Sequence, residues 1–352
     1  MSFQDILAAI AVVVNGLPQG LLALTFGFAA FPTALAFLVG PIGMLAFGQV
    51  APISFQAESI VLAGTIGRDR SERLNIVFYT GIIMALIGGI GLLQPTIDFI
   101  GPSILNGMMA GVGIILAKVG IEMFKEEKLT GAISLVTAIL TYFLTDNLVY
   151  TIVISVFSSS IVWFIVNSEK LSENKEPVNL EYEKLIPLKF KFSPYIVRST
   201  LALVTLQIGG NIAYASITGG LANKPVNVDL VTLYSGLADS VSAFFGGGPV
   251  EAIISGTAVA PNPITSGIIM MLIIAAILFA KLLPRIARYV PNQSIAGFLF
   301  VLGAIVVFPV NMAMGLEGTP IVGSVTTIVT AATDPFIGMV AGIITRILST
   351  AF

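Results

Sequence analysis

The sequence predicts an all-α polytopic membrane protein made of two seven-span repeats that are inverted relative to each other. Its 352 residues are 56% hydrophobic and only 10% charged, whereas a soluble domain carries about 25% charged residues. Fourteen apolar segments can be delimited, and most are separated by short polar loops. Two of them, 52–66 and 250–260, are short, contain a carboxylate and occupy matching positions in the two halves. Short, Gly/Pro-interrupted segments in corresponding positions are typical of the solute site of secondary transporters.

The repeat boundaries follow from a single hydrophilic insert. Residues 1–168 form the first predicted repeat, residues 195–352 the second, and residues 169–194 a hydrophilic, amphipathic linker. An odd number of spans per repeat places the second copy upside down in the membrane. PSILNGMMAGVG (102–113) and PNQSIAGFLFVLG (291–303) support this division, because each places two glycines six residues apart after a proline. Chance similarity between Gly-rich apolar helices is the alternative.

The short segments 52–66 and 250–260 cannot cross a bilayer alone, since crossing takes about 20 apolar residues. We expect them to be half-helices, spans 3 and 10, whose N-termini face each other near the middle of the membrane. Their free N–H groups and partial positive charge favour an anionic or strongly accepting group of a solute. Gly246, Gly247 and Gly248 precede Pro249 and permit a close backbone approach. The alternative is a Gly/Pro kink in an ordinary helix.

Polar residues are concentrated in spans 1–4 and 8–11, and the other spans are plainer. This distribution predicts two bundles, each assembled from both repeats. A solute-handling core bundle would comprise residues 1–100 and 195–290, and a supporting gate bundle would comprise residues 101–168 and 291–352.

Glu58 and Glu251 are the candidate proton-coupling residues, one in each broken segment. An ionisable side chain inside a span is unfavourable by at least ~2.5 kcal/mol, so such a residue usually has a function and faces a cavity or a partner. Asp239 is predicted to be a structural anchor that bonds helix N-termini or hydroxyls, although a functional role is the alternative.

The eighth segment carries Gln207 and Asn211, which are four residues apart and share one helix face. Amides offer donors and acceptors, which suits a planar heterocycle with a mixed hydrogen-bonding edge. The alternative is that these amides hold helices together. The full predicted substrate-binding set is Gln19, Ser54, Phe55, Gln56, Glu58, Gln207, Asn211, Pro249, Val250, Glu251 and Ser255.

Composition also excludes several classes of chemistry. The chain has no cysteine and no histidine, so a disulfide framework, a Ser-His-Asp triad and a Cys/His metal site are absent. We expect no cofactor, no metal site, no enzymatic activity and no nucleic-acid partner. The N-terminus, MSFQDILAAI, lacks the basic region of a signal peptide. The first segment is therefore predicted to be a transmembrane helix, and the protein is expected in the cell membrane.

Several stretches resemble the xanthine/uracil permeases, the nucleobase–cation symporters related to ascorbate and sulfate transporters. LYSGLADSVSAFFGGGPVEAIISG (233–256) is similar to their ninth-to-tenth span region, and NGLPQGLLALTFG (15–27) to their first-span motif, with Gln19 at the glutamine. VPNQSIAG (290–297) and LALVTLQIG (201–209) resemble their twelfth-span and eighth-span motifs. The resemblance implies a seven-plus-seven inverted repeat, a core bundle that slides against a gate bundle, and substrate between spans 3 and 10. It also implies a homodimer formed through the gate bundle and coupling to a proton or sodium ion.

The chain departs from the family pattern at several site positions. Gly20 stands where the family has a histidine, and the eighth-span acid has no equivalent, with only Gln207 nearby. The tenth-span glutamate is replaced by Ser255, with Glu251 one helical turn earlier, and Glu58 occupies the pseudo-equivalent position in the first half.

The expected function is proton-coupled transport of a small polar heterocycle, most simply a purine or pyrimidine base. The alternative is a small anion, such as sulfate, bicarbonate or a carboxylate, held between helix N-termini. A membrane enzyme or channel is a third hypothesis. The membrane orientation stays open. The family topology places both termini in the cytoplasm, but Lys and Arg cluster in the loops after spans 3, 5, 7 and 11, which by the positive-inside rule places the termini outside.

Overall fold

The computed structural model describes residues 2–173, 183–283 and 291–351. The side chain of Glu58 lies outside this description. Helices dominate the described chain. They are α1 (Phe3–Thr25), α2 (Ala30–Phe47), α3 (Ala57–Ile66), α4 (Arg70–Gly89), α5 (Leu93–Glu126), α6 (Lys128–Thr145), α7 (Leu148–Glu173), α8 (Pro194–Ala222), α9 (Val228–Phe244), α10 (Pro263–Phe279), α11 (Ala296–Phe300), α12 (Phe308–Gly315), α13 (Pro320–Ala332) and α14 (Pro335–Ala351). Two short strands, β1 (Ile53–Ser54) and β2 (Glu251–Ala252), complete the regular structure together with short 3₁₀ turns and a π-helical stretch, Val301–Val307.

Within the described residues, eight helical stretches are long and apolar enough to cross a bilayer. The predicted class, a helical polytopic membrane protein, is therefore confirmed. The contacts between helices fall into two groups. In one, α1, α2, α4, α8, α9 and α10 pack together, and in the other, α5 packs with α11 to α14 and α6 packs with α7. This grouping parallels the predicted core and gate bundles, whose movement as separate bodies stays a prediction.

The two broken segments meet at the centre of the molecule. β1 pairs with β2 in antiparallel register, with Ile53 opposite Ala252 and Ser54 opposite Glu251. Strand pairing of this kind at membrane depth is possible because the surrounding protein buries the backbone. All four of these residues are buried.

The two segments differ after their strands. β1 is followed by α3, a half-helix of 10 residues as predicted. β2 is followed only by a 3₁₀ turn of four residues, Gly256–Val259, so the predicted second half-helix, 250–260, is wrong. The hydroxyl of Ser255 accepts the N–H of Thr257 and starts the turn. Ala260 is extended, with ψ 154°, because a residue before a proline, here Pro261, is disfavoured in the helical region.

Close glycine contacts hold the gate helices together. A Cβ atom on Gly113 would lie 2.9 Å from the carbonyl oxygen of Gly303, and a Cβ on Gly303 would lie 2.4 Å from that of Gly113. A Cβ on Gly297 would lie 2.0 Å from the carbonyl oxygen of Ser134. Three glycines of the predicted internal repeat therefore mark sites where helix backbones touch. The helix α5 itself is kinked at Gly101, whose φ is 71°.

The helices α13 and α14, of 13 and 17 residues, form a hairpin that covers only part of α5. Along α5, Gly107 contacts Gly323 near the start of α13, and Gly111 contacts Thr330 near its end. The hairpin tip, Thr333 and Asp334, therefore lies beside the middle of the straight part of α5. Further along α5, Gly120 contacts α11 instead of the hairpin.

The described part of the predicted linker is a packed extended segment. Helix α7 continues to Glu173, residues 174–182 lie outside the described residues, and the following chain runs along the core helices. The N–H of Leu188 donates to the carbonyl oxygen of Phe244 over 2.7 Å. The carboxylate of Glu183 accepts the N–H groups of Ala30 and Phe31 over 2.9 and 2.6 Å. Because α2 has no side-chain cap of its own, Glu183 caps it from a distance in sequence.

Candidate solute-binding site

A cavity of about 280 Å³ lies between α1, the β1–α3 connection and α8 on one side and α5, α11 and the hairpin tip on the other. It is close to the lower end of the range for small-molecule sites, about 300–1,000 Å³. Four of the predicted substrate-binding residues line it: Gln19, Ser54, Phe55 and Gln56.

One wall of the cavity is polar. Asn15 and Gln19 are four residues apart in α1 and share a face, and Ser54, at the end of β1, lines the cavity with them. Asn15 Oδ1, Gln19 Oε1 and Ser54 Oγ are buried, and none has a hydrogen-bond partner among the described residues. Buried polar atoms in folded proteins are nearly always paired, so three residues that line this cavity have hydrogen-bonding capacity that no described residue uses.

Two glycines of α1 bring the β1–α3 connection against this helix. A Cβ on Gly16 would lie 3.2 Å from Ser54 Oγ, and a Cβ on Gly20 would lie 2.9 Å from the ring of Phe55. Gly20 is the position where the resembling family has a histidine. The ring of Phe55 takes that space here, and it also packs on Phe37 with ring centroids 5.2 Å apart.

The opposite wall is apolar. It is formed mainly by aliphatic side chains of α5, with Ile295 and Leu299 beyond them. Asp334 is the only residue with a formal charge among the described residues that line the cavity. Its Oδ1 accepts the N–H of Ile337 over 2.9 Å, which caps the start of α14. No Lys or Arg is found in the described lining.

Several predicted residues lie behind the cavity wall instead of in it. Gln207 donates from Nε2 to Asp239 Oδ2 over 2.9 Å, and Asp239 Oδ1 accepts the N–H of Val250 over 2.6 Å. Asp239 thus links α8 to the extended segment before β2. Gln207 and Asp239 are 2% and 1% exposed, and neither belongs to the described lining.

Asn211, Pro249, Val250 and Ser255 are also buried outside the described lining of the cavity. Asn211 donates to the hydroxyls of Thr232 and Ser235 over 3.2 and 3.4 Å. These contacts tie α8 to α9. For all four residues, the role in binding substrate stays a prediction.

The two candidate proton-coupling residues lie near each other. Glu251 is 2% exposed, and its Oε1 accepts a hydrogen bond from Ser59 Oγ over 2.5 Å. Ser59 is in the first turn of α3, as is Glu58, whose side chain lies outside the described residues. Glu251 does not line the cavity. In the described part of the chain, no group of three or more acidic side chains could hold a metal ion.

The structure adds residues that sequence reasoning did not select. Asn15 could have been selected from the sequence, since it lies one helical turn before Gln19 on a span already assigned to the core. Tyr214 and Asp334 also line the cavity. Asp334 carries no local signal, because in the sequence it is a single acid in an ordinary loop before Pro335.

Comparison with known proteins supports the fold. No protein-family model and no characterised protein sequence matches the chain. Among solved structures, the transmembrane domain of the cyanobacterial bicarbonate transporter BicA is similar, with a TM-score of 0.61, 13% identity, and coverage of 97% of this chain and 98% of that domain. The overall structure of SLC26A9 has a TM-score of 0.62 at 13% identity, covering 99% of this chain and 65% of that one. The murine Slc26a9 anion transporter in the inward-facing state has a TM-score of 0.61 at 12% identity, covering 99% of this chain and 68% of that one.

This chain therefore spans about two thirds of the SLC26A9 chains and nearly the whole BicA domain. At 12–13% identity the similarity establishes the fold. The prediction of a multi-pass membrane protein with this inverted-repeat fold is confirmed. The specific likeness to xanthine/uracil permeases stays a prediction.

Proposed function

We propose that this protein is a secondary active transporter of a small, uncharged polar solute that carries both hydrogen-bond donors and acceptors, with a nucleobase as the best candidate. The observation that carries the proposal is that three residues lining one cavity wall each have a buried, unpaired oxygen atom: Asn15 Oδ1, Gln19 Oε1 and Ser54 Oγ.

Amide groups present an acceptor and two donors, so a solute that satisfies them needs groups of both kinds. A purine or pyrimidine base has N–H donors and carbonyl or ring-nitrogen acceptors along one edge. Its flat faces are apolar enough to pack against Phe55 and the aliphatic side chains of α5. A fully deprotonated oxyanion offers acceptors alone and would leave the amide and hydroxyl oxygens unpaired.

The charges around the cavity also favour a neutral solute. The described lining includes the carboxylate of Asp334 and no cationic side chain. The first turn of α3, where an anion would be favoured, already has the carboxylate of Glu251 bonded to Ser59. In a low-dielectric interior, both carboxylates would repel a second negative charge.

The two unlike walls are consistent with an elevator movement. The polar wall belongs to α1 and the β1–α3 connection, and the apolar wall belongs to α5 and α11. A solute bonded to the polar wall can move with the core helices past a smooth apolar surface without breaking its hydrogen bonds. Coupling through Glu58 or Glu251 and a homodimer formed through the gate helices are parts of the same proposal.

A second candidate is the transport of a small anion. Two of the similar solved structures are described as a bicarbonate transporter and an anion transporter. The N-terminus of α3 would supply the positive end of a helix dipole, as Gln56 provides no side-chain cap.

Uptake into proteoliposomes separates the two candidates. Purified protein should accumulate radiolabelled uracil, xanthine or adenine when a proton or sodium gradient is imposed, and unlabelled bases should compete with the label. Bicarbonate and sulfate should neither accumulate nor compete. Uptake of the oxyanions without uptake of any base would reject the neutral-solute proposal in favour of the second candidate.

A further inference from the structure

We propose that Asp334 is a binding position for a monovalent cation in the cavity and that the bound cation promotes solute binding. The statement about the cation rests on the geometry of the hairpin tip, whereas the statement about the solute rests on the proposed function. Sequence patterns instead assigned ion coupling to Glu58 and Glu251.

Asp334 lies at membrane depth although it is a loop residue. Its hairpin contacts α5 from Gly107 to Gly111, and its tip ends beside the middle of that helix. On the other side, a Cβ on Gly209 would lie 2.4 Å from the N atom of Phe336, so the tip also abuts the middle of α8. An acid at this depth usually marks an ion or substrate pathway.

The carboxylate has capacity to bind a cation. Asp334 is half-buried, and its side chain forms one hydrogen bond with the described residues, from the N–H of Ile337 to Oδ1. It forms no ion pair with the part of the chain that the structure describes.

Three residues that line the same cavity carry buried neutral oxygen atoms. Ser54 is 2% exposed, and its Oγ has no partner within the described chain. The amide oxygens of Asn15 and Gln19 are likewise buried and have no partner within the described chain. Hard cations prefer oxygen ligands from carboxylate, carbonyl and water. One carboxylate provides the single negative charge that balances a monovalent ion.

The charged side chains on the helices that pack against the hairpin do not provide a positive charge beside Asp334. Arg346 of α14 donates to the carbonyl oxygens of Phe99 and Ile100, and Lys118 of α5 is exposed and 3.9 Å from Glu122. The other charged residues of the helices that pack against the hairpin are Asp98, Lys125 and Glu126 of α5 and Arg198 of α8, and none of them lines the cavity. Within the described chain, therefore, no cationic side chain of these helices neutralises Asp334 from the cavity.

The variant D334N tests the charge with little change in the fold. Asparagine caps a helix as well as aspartate does, so the bond to Ile337 and the start of α14 are retained. D98N is the matched control, since it removes an exposed carboxylate of α5 outside the cavity.

The first measurement uses cations alone. The melting temperature of the purified protein is recorded in NaCl, LiCl, KCl and choline chloride at equal ionic strength, and in choline chloride over a pH series that tests the proton. Binding to the folded state raises the melting temperature. We expect one small cation to stabilise the native protein and the D98N variant but not D334N. Equal responses of the native protein and D334N would overturn the proposal.

The second measurement is the dissociation constant of labelled uracil or xanthine with and without the effective cation. Coupled ligands typically raise each other's affinity by about 5–150-fold. We expect such a factor in the native protein and none in D334N. If a base binds with equal affinity in all cations and at all pH values, the claim that the cation promotes solute binding is wrong and the proposed function stands. If the cation binds but no base does, the proposed function fails and the cation site stands.

Discussion

Ser59 Oγ donates a hydrogen bond of 2.5 Å to Glu251 Oε1 and thereby joins the first turn of α3 to strand β2. The two residues come from opposite repeats and are 192 positions apart. Both are nearly inaccessible, at 1% and 2% exposure. The bond brings a carboxylate of the second repeat to the positive end of the half-helix of the first, where negative charge is favoured.

The variant S59A tests this bond. Removing the hydroxyl takes a donor from a buried carboxylate, for which the expected loss is about 1–3 kcal/mol of unfolding free energy. Thermal unfolding in detergent should show a lower melting temperature. S349A, which removes an exposed hydroxyl near the end of α14, should leave the melting temperature unchanged. An equal melting temperature for S59A and native protein would show that the bond does not stabilise the fold.

The variant Q19L tests the polar wall of the cavity. Leucine keeps most of the side-chain volume but cannot bond the solute, so affinity for the transported base should fall by about 1–3 kcal/mol, or roughly 5–150-fold. Melting temperature should fall little, because Gln19 Oε1 has no partner to lose among the described residues. Q94L is the control, since Gln94 is in α5 outside the cavity. Unchanged uptake by Q19L would remove Gln19 from the site.

The variant G297A tests the contact between α6 and α11. A methyl group there would lie 2.0 Å from the carbonyl oxygen of Ser134, so the helices must separate, at a typical cost of about 1–3 kcal/mol. G220A is a matched control, because a Cβ on Gly220 in α8 meets nothing within 4 Å and alanine favours helix more than glycine does. We expect G297A to lower and G220A to preserve or raise the melting temperature. The reverse order would contradict the described packing.

Asp69 gives a pH dependence outside the spans. The N–H of Glu72 and the ammonium of Lys191 hold the pKa of Asp69 below its ordinary value. A carboxyl whose pKa is lower in the folded state stabilises it above the unfolded pKa, about 3.9. That contribution is lost as the pH falls through the folded pKa. The difference in melting temperature between native protein and D69N should be small, because the pair is half exposed, and it should decrease as the pH falls below the unfolded pKa. A difference that grows on acidification would contradict this assignment.

Hydropathy and proline–glycine punctuation were sufficient to predict the helical class and the two broken segments, because both depend on local composition. The repeat glycines were informative for the same reason, since a glycine in an apolar helix often marks a close contact. The second half-helix was not predictable from composition. Five residues separate Ser255 from Pro261, and one 3₁₀ turn fills that distance.

The site residues were harder to predict because intramembrane polarity has two uses. Gln207 and Asn211 have the amide chemistry expected of a binding residue, but they bond Asp239, Thr232 and Ser235 inside the core. Gln19 Oε1 and Asn211 Oδ1 both lack a partner among the described residues, but of these two residues only Gln19 belongs to the described lining of the cavity. Only the three-dimensional arrangement distinguishes them. The position of Asp334 in the cavity was still harder to predict, since its depth is set by the lengths of α13 and α14.

The short α13–α14 hairpin has an electrical consequence. When water fills the cavity as far as Asp334, the bulk solution reaches about halfway through the hydrocarbon layer, so that roughly 15 Å of closed protein remains. Nearly all of the transmembrane voltage then falls across that remaining layer. A charge carried through it would gain or lose about 2.3 kcal/mol per 100 mV although it moves only half the bilayer thickness.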